Sequence, residues 1–262
     1  KEGVPLQNKY LKAFEYSDCW IEDSRLVVLN ARDAEIRGAK INVRTKVVSA
    51  EQIKGIWHLT LHSIIDDAKR VVKAKMIVNA GGPWVEDIIQ NKVRLNSSEG
   101  VRLVRGSHLI TKKLYEHNKC YFFQGEDGRI IFTIPYETDF TLIGTTDVEH
   151  FDISIKPECT LEEKKYLVNF ASEYFETKVT IDDIVKTYSG VRPLYNDNAS
   201  SASAATRDYV LSIDETLGAP ILNVFGGKIT TYRKLSENAL DKISKILPKV
   251  GASWTAGVPL PG

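Results

Sequence analysis

The sequence predicts a discontinuous α/β domain interrupted by an α+β insertion, and three observations carry that assignment. A strand-like run, a glycine pair and a helix-like run follow one another at "MIVNAGGPWVEDIIQ" and again at "NVFGGKITTYRKLSENAL", so one kind of unit occurs twice, more than a hundred residues apart. Between the two the texture is that of an antiparallel sheet, with the hairpin-like "GRIIFTIPYETDFTLIGTTDVE" and the strand-like "RLVRGSHLITKK". With 262 residues, 43% of them hydrophobic and 26% charged, the chain is long enough for one large core or two small ones.

Along the chain, Asp23 or Ser24 is placed to cap a helix through "SRLVVLNARDAEIR", with Leu26, Leu29, Asn30, Asp33 and Ile36 at helical spacing and Gly38 to end it. "KINVRTKVVS", "GIWHLTLHS" and "RVVKAKMIVNA" then read as a strand and a meander. Alternation in the second run puts His58 and His62 on one solvent-facing side with Thr60; zinc needs three or four convergent ligands, and no acidic one follows. After the third run Gly81-Gly82 turn the chain, Pro83 suits a first helical turn, and Trp84, Val85, Ile88 and Ile89 form an apolar face. Within the insertion, Glu137-Thr138-Asp139 separates the hairpin strands. The capping box Thr160-x-x-Glu163 opens a helix with Leu167, Phe170, Ala171 and Tyr174 on one face, where Tyr166 and Tyr174 serve packing. The small polar stretch "NDNASSASAAT", residues 196–206, predicts a mobile loop between the strands "YSGVRPLY" and "RDYVLSI".

Composition excludes several classes. Thirty-five basic and thirty-four acidic residues leave a net charge of +1, and no nucleic-acid-reading motif is present, so nucleic acid is not an expected partner. Cys19, Cys120 and Cys159 are odd in number and far apart, which fits neither a disulfide framework nor a C-x-x-C metal site; a reducing, cytoplasmic setting is the default. No apolar run approaches the roughly 20 residues of a membrane span, and no G-x-S-x-G elbow occurs. Gly227-Lys228 is not a phosphate loop, because Ile229 follows the lysine and no glycine stands five positions before Gly227.

What remains is a set of polar groups at strand ends. Gly226-Gly227 followed by Lys228 and a helix start favours an anionic or carbonyl-bearing ligand, although a tight βα turn with a solvated lysine fits the same residues. Arg192 stands between Gly190 and Pro193, a setting that permits close backbone approach and bars a regular central strand. Arg207 follows in "ATRDY". A guanidinium grips phosphate or carboxylate in a bidentate manner, while pairing of the two arginines with Asp197 and Asp208 is the alternative.

Together and in this order, "AFEYSDCW", "VNAGGPW", "RGSHLI", "IGTTDVE", "YSGVRPL", "TRDYVL" and "FGGKITTYRKLSENAL" resemble the FAD-dependent glycerol-3-phosphate dehydrogenases, from Phe14 to Pro261. The resemblance implies a partial FAD-binding Rossmann-like domain of the glutathione-reductase/D-amino-acid-oxidase type, residues 1–93 and 188–262, interrupted by an antiparallel-sheet substrate domain, residues 94–187. It also implies that the chain is an internal fragment, incomplete for FAD and inactive alone, since the family's first G-x-G-x-x-G unit and its C-terminal helical domain find no counterpart here. By resemblance Gly81, Gly82, Gly190, Gly226, Gly227, Ile229 and Thr230 contact FAD, Lys228 reaches toward substrate, and Arg192 and Arg207 clamp the phosphate of sn-glycerol 3-phosphate. His108 is the candidate base, a structural role being equally open to it, and Thr146 and Asp147 orient the site. The implied reaction is oxidation at C2 to dihydroxyacetone phosphate with quinone as acceptor. The resemblance implies a full-length enzyme placed peripherally on the cytoplasmic face of the inner membrane, with a homodimer as one assembly open to it. An oxidase, a dehydrogenase of another polyol phosphate, and a non-catalytic anion-binding fragment are the alternatives.

Overall fold

The structure, a computed structural model, describes residues 2–126, 128–197, 206–247 and 251–262. The chain forms two compact units. Among the described residues, one takes the chain up to Tyr16 together with Arg102–Arg192; the other takes Ser17–Val101, residues 193–197 and the chain from Thr206 on. The greater part of the expected mobile loop, residues 198–205, lies outside the described residues.

The second of these units begins with α1 (Asp23–Ile36), which places Leu26, Leu29, Asn30 and Asp33 half-buried on one side but leaves Ile36 exposed. Its cap differs from the sequence expectation. Glu22 holds the N-cap position without a side-chain bond, and the Asp23 carboxylate accepts instead from the Ser24 N–H at 2.9 Å. β1 (Thr45–Ile53), β2 (Ile56–Ser63) and β3 (Lys69–Ala74) make the antiparallel meander. Trp57 of β2 is fully buried and donates its indole N–H to the Pro220 carbonyl at 2.8 Å. His62 meets Asp67, and His58 lies opposite Glu51 and Lys73.

The third strand-like run does not continue as one strand. It leaves the meander after Ala74, and β4 (Ile77–Asn79) joins another sheet. The helical run that follows is not uniform either: a 3₁₀ turn at Gly82–Trp84, one α turn (α2, Val85–Asp87) and a wider π turn at Ile88–Val93 succeed one another. Val85, Ile89 and Val93 go inward, whereas Trp84, expected on the apolar face, is 53% exposed.

In the other unit the strands are β5 (Val101–Lys112), β6 (Tyr121–Gln124), β7 (Ile130–Tyr136), β8 (Phe140–Gly144), β9 (Val148–Glu149) and β10 (Ile184–Tyr195). They order as β10-β5-β8-β7-β6, with β9 also pairing β5. The β7–β8 hairpin turns at Glu137 and Thr138, both at positive φ, as the twist of a tight hairpin demands. α3 (Leu161–Tyr174) carries the predicted capping box in full: Thr160 Oγ1 accepts from the Glu163 N–H at 3.2 Å and Glu163 Oε2 from the Thr160 N–H at 2.9 Å. Leu167, Phe170 and Ala171 of α3 pack with Leu109, Ile131 and Ile143 of the sheet into one buried cluster. Tyr174 stacks between Phe123 and Tyr10, fastening the amino-terminal segment to α3. β10 is an edge strand of this sheet, which is why it can contain Pro193, a residue without an N–H to donate.

The chain returns to the unit of α1 and β4 through β11 (Val210–Asp214), β12 (Ile221–Phe225), a 3₁₀ turn at Ile229–Thr231 and α4 (Tyr232–Ser244). β12 pairs antiparallel with β11 and parallel with β4, so the two strand–glycine–helix units stand side by side. Among the described residues no helix is long and apolar enough to cross a membrane.

Candidate functional site

The parallel pairing of β4 and β12 brings both glycine turns to the same end of their sheet, the carboxyl end, where open α/β sheets receive ligands. Asn79 and Asn223 lie opposite each other in register and are buried. The Asn79 Nδ2 donates to Asn223 Oδ1 at 3.0 Å and to the Val85 carbonyl at 3.1 Å, while its Oδ1 accepts from the Gly81 N–H at 3.3 Å. One buried amide therefore ties strand, partner strand, glycine turn and helix start together.

The glycines differ in what they leave open. A Cβ at Gly226 would come within 2.8 Å of the Asp208 carbonyl, one at Gly227 within 3.1 Å of Leu235 Cδ1, and one at Gly81 within 2.5 Å of Ile88 Cδ1. At these three the missing Cβ makes room for the chain itself, and at Gly226 and Gly227 the φ angles of 68° and 100° favour glycine as well. Gly82, at φ 55°, has only Pro193 Cγ at 4.0 Å. The Asp208 carbonyl over Gly226 places neighbouring Arg207 beside the turn that carries Lys228; Arg207 and Lys228 are both exposed. The 3₁₀ turn Ile229–Thr231 intervenes before α4, with Ile229 and Thr230 exposed and no side chain capping the N–H groups of either helical element.

In the unit built on β5–β10, strand alternation sorts the motif "RGSHLI" onto two faces. Arg105, Ser107 and Leu109 turn toward α3; Gly106 and His108 turn the other way. The Arg192 guanidinium occupies the space over Gly106, where a Cβ would stand 2.3 Å from Nη2. It is oriented by three successive residues: Nη1 donates to Asp147 Oδ1 at 2.8 Å and to the Thr146 carbonyl at 3.3 Å, and Nη2 donates to Thr145 Oγ1 at 3.0 Å. The His108 ring lies over Gly144, its cross-strand neighbour, and stacks on Tyr188 with 4.8 Å between ring centres and 7° between planes. Tyr188, Gly190 and Arg192 share one face of β10, and the Cβ position of Gly190 is open.

Behind that face lies a buried polar cluster around Glu163. Its Oε1 accepts from Thr146 Oγ1 at 2.7 Å and Ser107 Oγ at 2.8 Å, and its Oε2 from Arg105 Nη2 at 3.0 Å. Burial alone would raise the Glu163 pKa, but the bonds from Thr160, Thr146, Ser107 and Arg105 outweigh it and hold the carboxyl below its ordinary value.

Of the residues expected from the sequence, Arg192, Asp147 and Thr146 are joined by hydrogen bonds, and His108 shares their sheet face. Thr146 takes part through its carbonyl, because its hydroxyl is buried and committed to Glu163 and to the Ser107 N–H. Arg207, Lys228 and the turns at Gly81-Gly82 and Gly226-Gly227 belong to the other unit. Sequence reasoning missed Tyr188, Thr145, Gly106, Gly144 and Asn79. The alternation of "KTYSGVR", which sets Tyr188, Gly190 and Arg192 on one face, and the recurrence of an asparagine shortly before each glycine pair were the available signals.

A model of the FAD dependent oxidoreductase (DAO) family matches residues 1–233. Over 261 residues the chain is 46% identical to the D-erythritol 1-phosphate dehydrogenase of Brucella abortus, covering 100% of this chain and 52% of that protein. Over 259 residues it is 46% identical to a glycerol-3-phosphate dehydrogenase of Pseudomonas tolaasii, covering 98% and 50%. The aerobic glycerol-3-phosphate dehydrogenase of Escherichia coli is 42% identical over 258 residues, with 98% and 52% covered. The chain thus spans about half the length of these curated relatives. Among solved structures, the glycerol-3-phosphate dehydrogenase of Bacillus halodurans complexed with FAD superposes with a TM-score of 0.78 at 28% identity, over 91% of this chain and 46% of that one. Motifs, sheet topology and relatives converge: the chain belongs to the FAD-dependent oxidoreductase (DAO) family.

Proposed function

We propose that this chain carries FAD- and substrate-binding parts of a dehydrogenase that oxidises sn-glycerol 3-phosphate to dihydroxyacetone phosphate. The observation that carries the reading is the Arg192 guanidinium, set by Asp147, Thr145 and Thr146 on a glycine-paved face two strand positions from His108. A guanidinium fixed in this way is pre-organised for a phosphate, and an imidazole on the same face is the side chain type suited to take a proton.

The residues fit a dinucleotide. Both glycine turns open at the carboxyl ends of parallel strands, and the uncapped turn at Ile229–Thr231 supplies N–H groups and the positive end of a helix. FAD, when bound, supplies the two-electron acceptor for the substrate carbon. In this reading Gly81, Gly82, Gly226, Gly227, Ile229 and Thr230 offer it backbone contacts, and Gly190, assigned to ligand binding as well, leaves open the β10 face that it shares with Arg192. Arg192 binds the substrate phosphate, while Arg207 and Lys228 are exposed cations beside the Gly226-Gly227 turn and offer themselves to an anion there. Asp147 orients Arg192, and Tyr188 holds the His108 ring so that it takes the C2 hydroxyl proton as that carbon becomes a ketone. We further assign the cofactor to residues 1–93 and 188–262 and the substrate to residues 94–187, to which β10 adds Arg192 by its bond to Asp147. Quinone is the onward acceptor of a protein associated peripherally with the cytoplasmic face of the membrane.

A second reading, oxidation of D-erythritol 1-phosphate, is favoured by the 46% identity that runs over the whole chain to the Brucella enzyme. The two substrates share a phosphate end and a secondary alcohol, so the same groups serve either. Steady-state assays of the full-length protein over phosphorylated and unphosphorylated polyols, with quinone reduction and hydrogen peroxide formation followed in parallel, decide the matter. We expect sn-glycerol 3-phosphate to be preferred and quinone to be reduced. Equal turnover of glycerol with and without its phosphate removes the reading.

A further inference from the structure

We propose that Glu163, the third residue of α3, is a positioning residue for Arg192 and acts through the Thr146 hydroxyl. A helix cap asks little of this glutamate: the capping box uses Oε2 with the Thr160 N–H, and such ends are ordinarily solvated. Here the side chain is 5% exposed, and burying a carboxylate is costly unless every lone pair is used. The oxygen that the cap leaves over, Oε1, accepts from Thr146 Oγ1 at 2.7 Å and Ser107 Oγ at 2.8 Å.

Thr146 is the middle of the three residues that hold the guanidinium. Its carbonyl accepts from Arg192 on the open face, while its hydroxyl points through to the helix side, donating to Glu163 and accepting from the Ser107 N–H at 3.0 Å. Thr145 and Asp147 touch Arg192 by side chains that need a fixed backbone to aim them, and Thr146 supplies the fixed point. The path from α3 to the guanidinium is therefore two hydrogen bonds long, and it lies within one compact unit. Without the carboxylate, Thr146 Oγ1 loses its acceptor, the turn loosens, and Arg192 spends less of its time in the geometry a phosphate requires.

The inference rests on Arg192 as the anion anchor, and the test separates the two. In the full-length holoenzyme, Glu163→Ala and Thr146→Val should each raise KM for sn-glycerol 3-phosphate about tenfold with kcat within about threefold, and Thr146→Ser, which keeps the hydroxyl, should restore KM to within about twofold. Because the effect passes through Arg192, the double variant Arg192→Lys/Thr146→Val should show a KM no higher than Arg192→Lys alone. Should Glu163→Ala fail to fold, the Thr146 pair and the double variant carry the test. A KM that stays within twofold in Thr146→Val while Arg192→Lys raises it, or a double variant whose effect is the product of the singles, overturns the inference and leaves the anchor standing. An unchanged KM in Arg192→Lys removes the anchor and the inference with it.

Discussion

At the scale of single residues the account turns on side chains that glycines make room for. Arg192→Lys keeps the charge but loses the planar fork that Asp147, Thr145 and Thr146 orient, so it should weaken transition-state binding by roughly 2–4 kcal/mol, mostly through KM. Unchanged steady-state kinetics would take Arg192 out of the site. Gly144 and Gly190 make a sharper contrast. A Cβ at Gly144 would meet His108 Cδ2 at 2.1 Å, so Gly144→Ala displaces the ring and should lower kcat by roughly 100-fold, the scale of a lost general base. Gly190→Ala meets nothing within 4 Å in the folded chain and should leave Tm unchanged while weakening ligand binding. An equal loss of Tm in both would show that these glycines serve only the sheet. Arg192 stood out by its place between Gly190 and Pro193, whereas His108 and Asp147 entered only through the family resemblance. Tyr188 was not, because a tyrosine in a strand looks like any other until its cross-strand neighbour is known.

At the scale of elements, helix starts with side-chain signatures were read well and backbone-driven ones were not. The Thr160/Glu163 box was visible because both partners lie in one short stretch, and Thr160→Ala should cost about 1 kcal/mol in thermal or denaturant unfolding. α1 was read with the right extent and the wrong cap, since an aspartate can bond its next N–H as readily as cap a helix. The run "RVVKAKMIVNA" carries no breaker between Ala74 and Ile77, so its division between two sheets is a tertiary effect that no local pattern announces. The recurrence of a strand, glycines and a helix was legible, but not that β4 and β12 pair in parallel through Asn79 and Asn223. Glu163 also gives α3 a pH signature. Its folded pKa lies below its ordinary 4.5, so its stabilisation is complete above pH 4.5 and is lost as pH falls through the folded value. Unfolding free energies of the wild type and Glu163→Gln measured from pH 7 down to 3 should differ less at the acid end; a constant difference would show that the carboxylate is not ionised in the fold.

For the whole molecule, the division of labour between a unit with parallel strands and glycine turns and a unit with an antiparallel sheet is what the sequence pattern anticipated as a fold class. The boundaries between them depend on contacts that pattern does not report. The chain spans about half of its relatives' length, and residues 1–262 expressed alone should purify without the visible absorbance of flavin; a yellow protein would show that the two glycine turns suffice to hold FAD. The central claim, that a phosphate gripped by Arg192 presents an alcohol for oxidation, is tested most directly by anaerobic mixing of the full-length holoenzyme with substrate while the flavin absorbance is followed. The account predicts rapid bleaching by sn-glycerol 3-phosphate, little by glycerol at the same concentration, and a shift to higher half-saturating substrate in Arg192→Lys. Bleaching that is indifferent to the phosphate, or to the loss of Arg192, would contradict it.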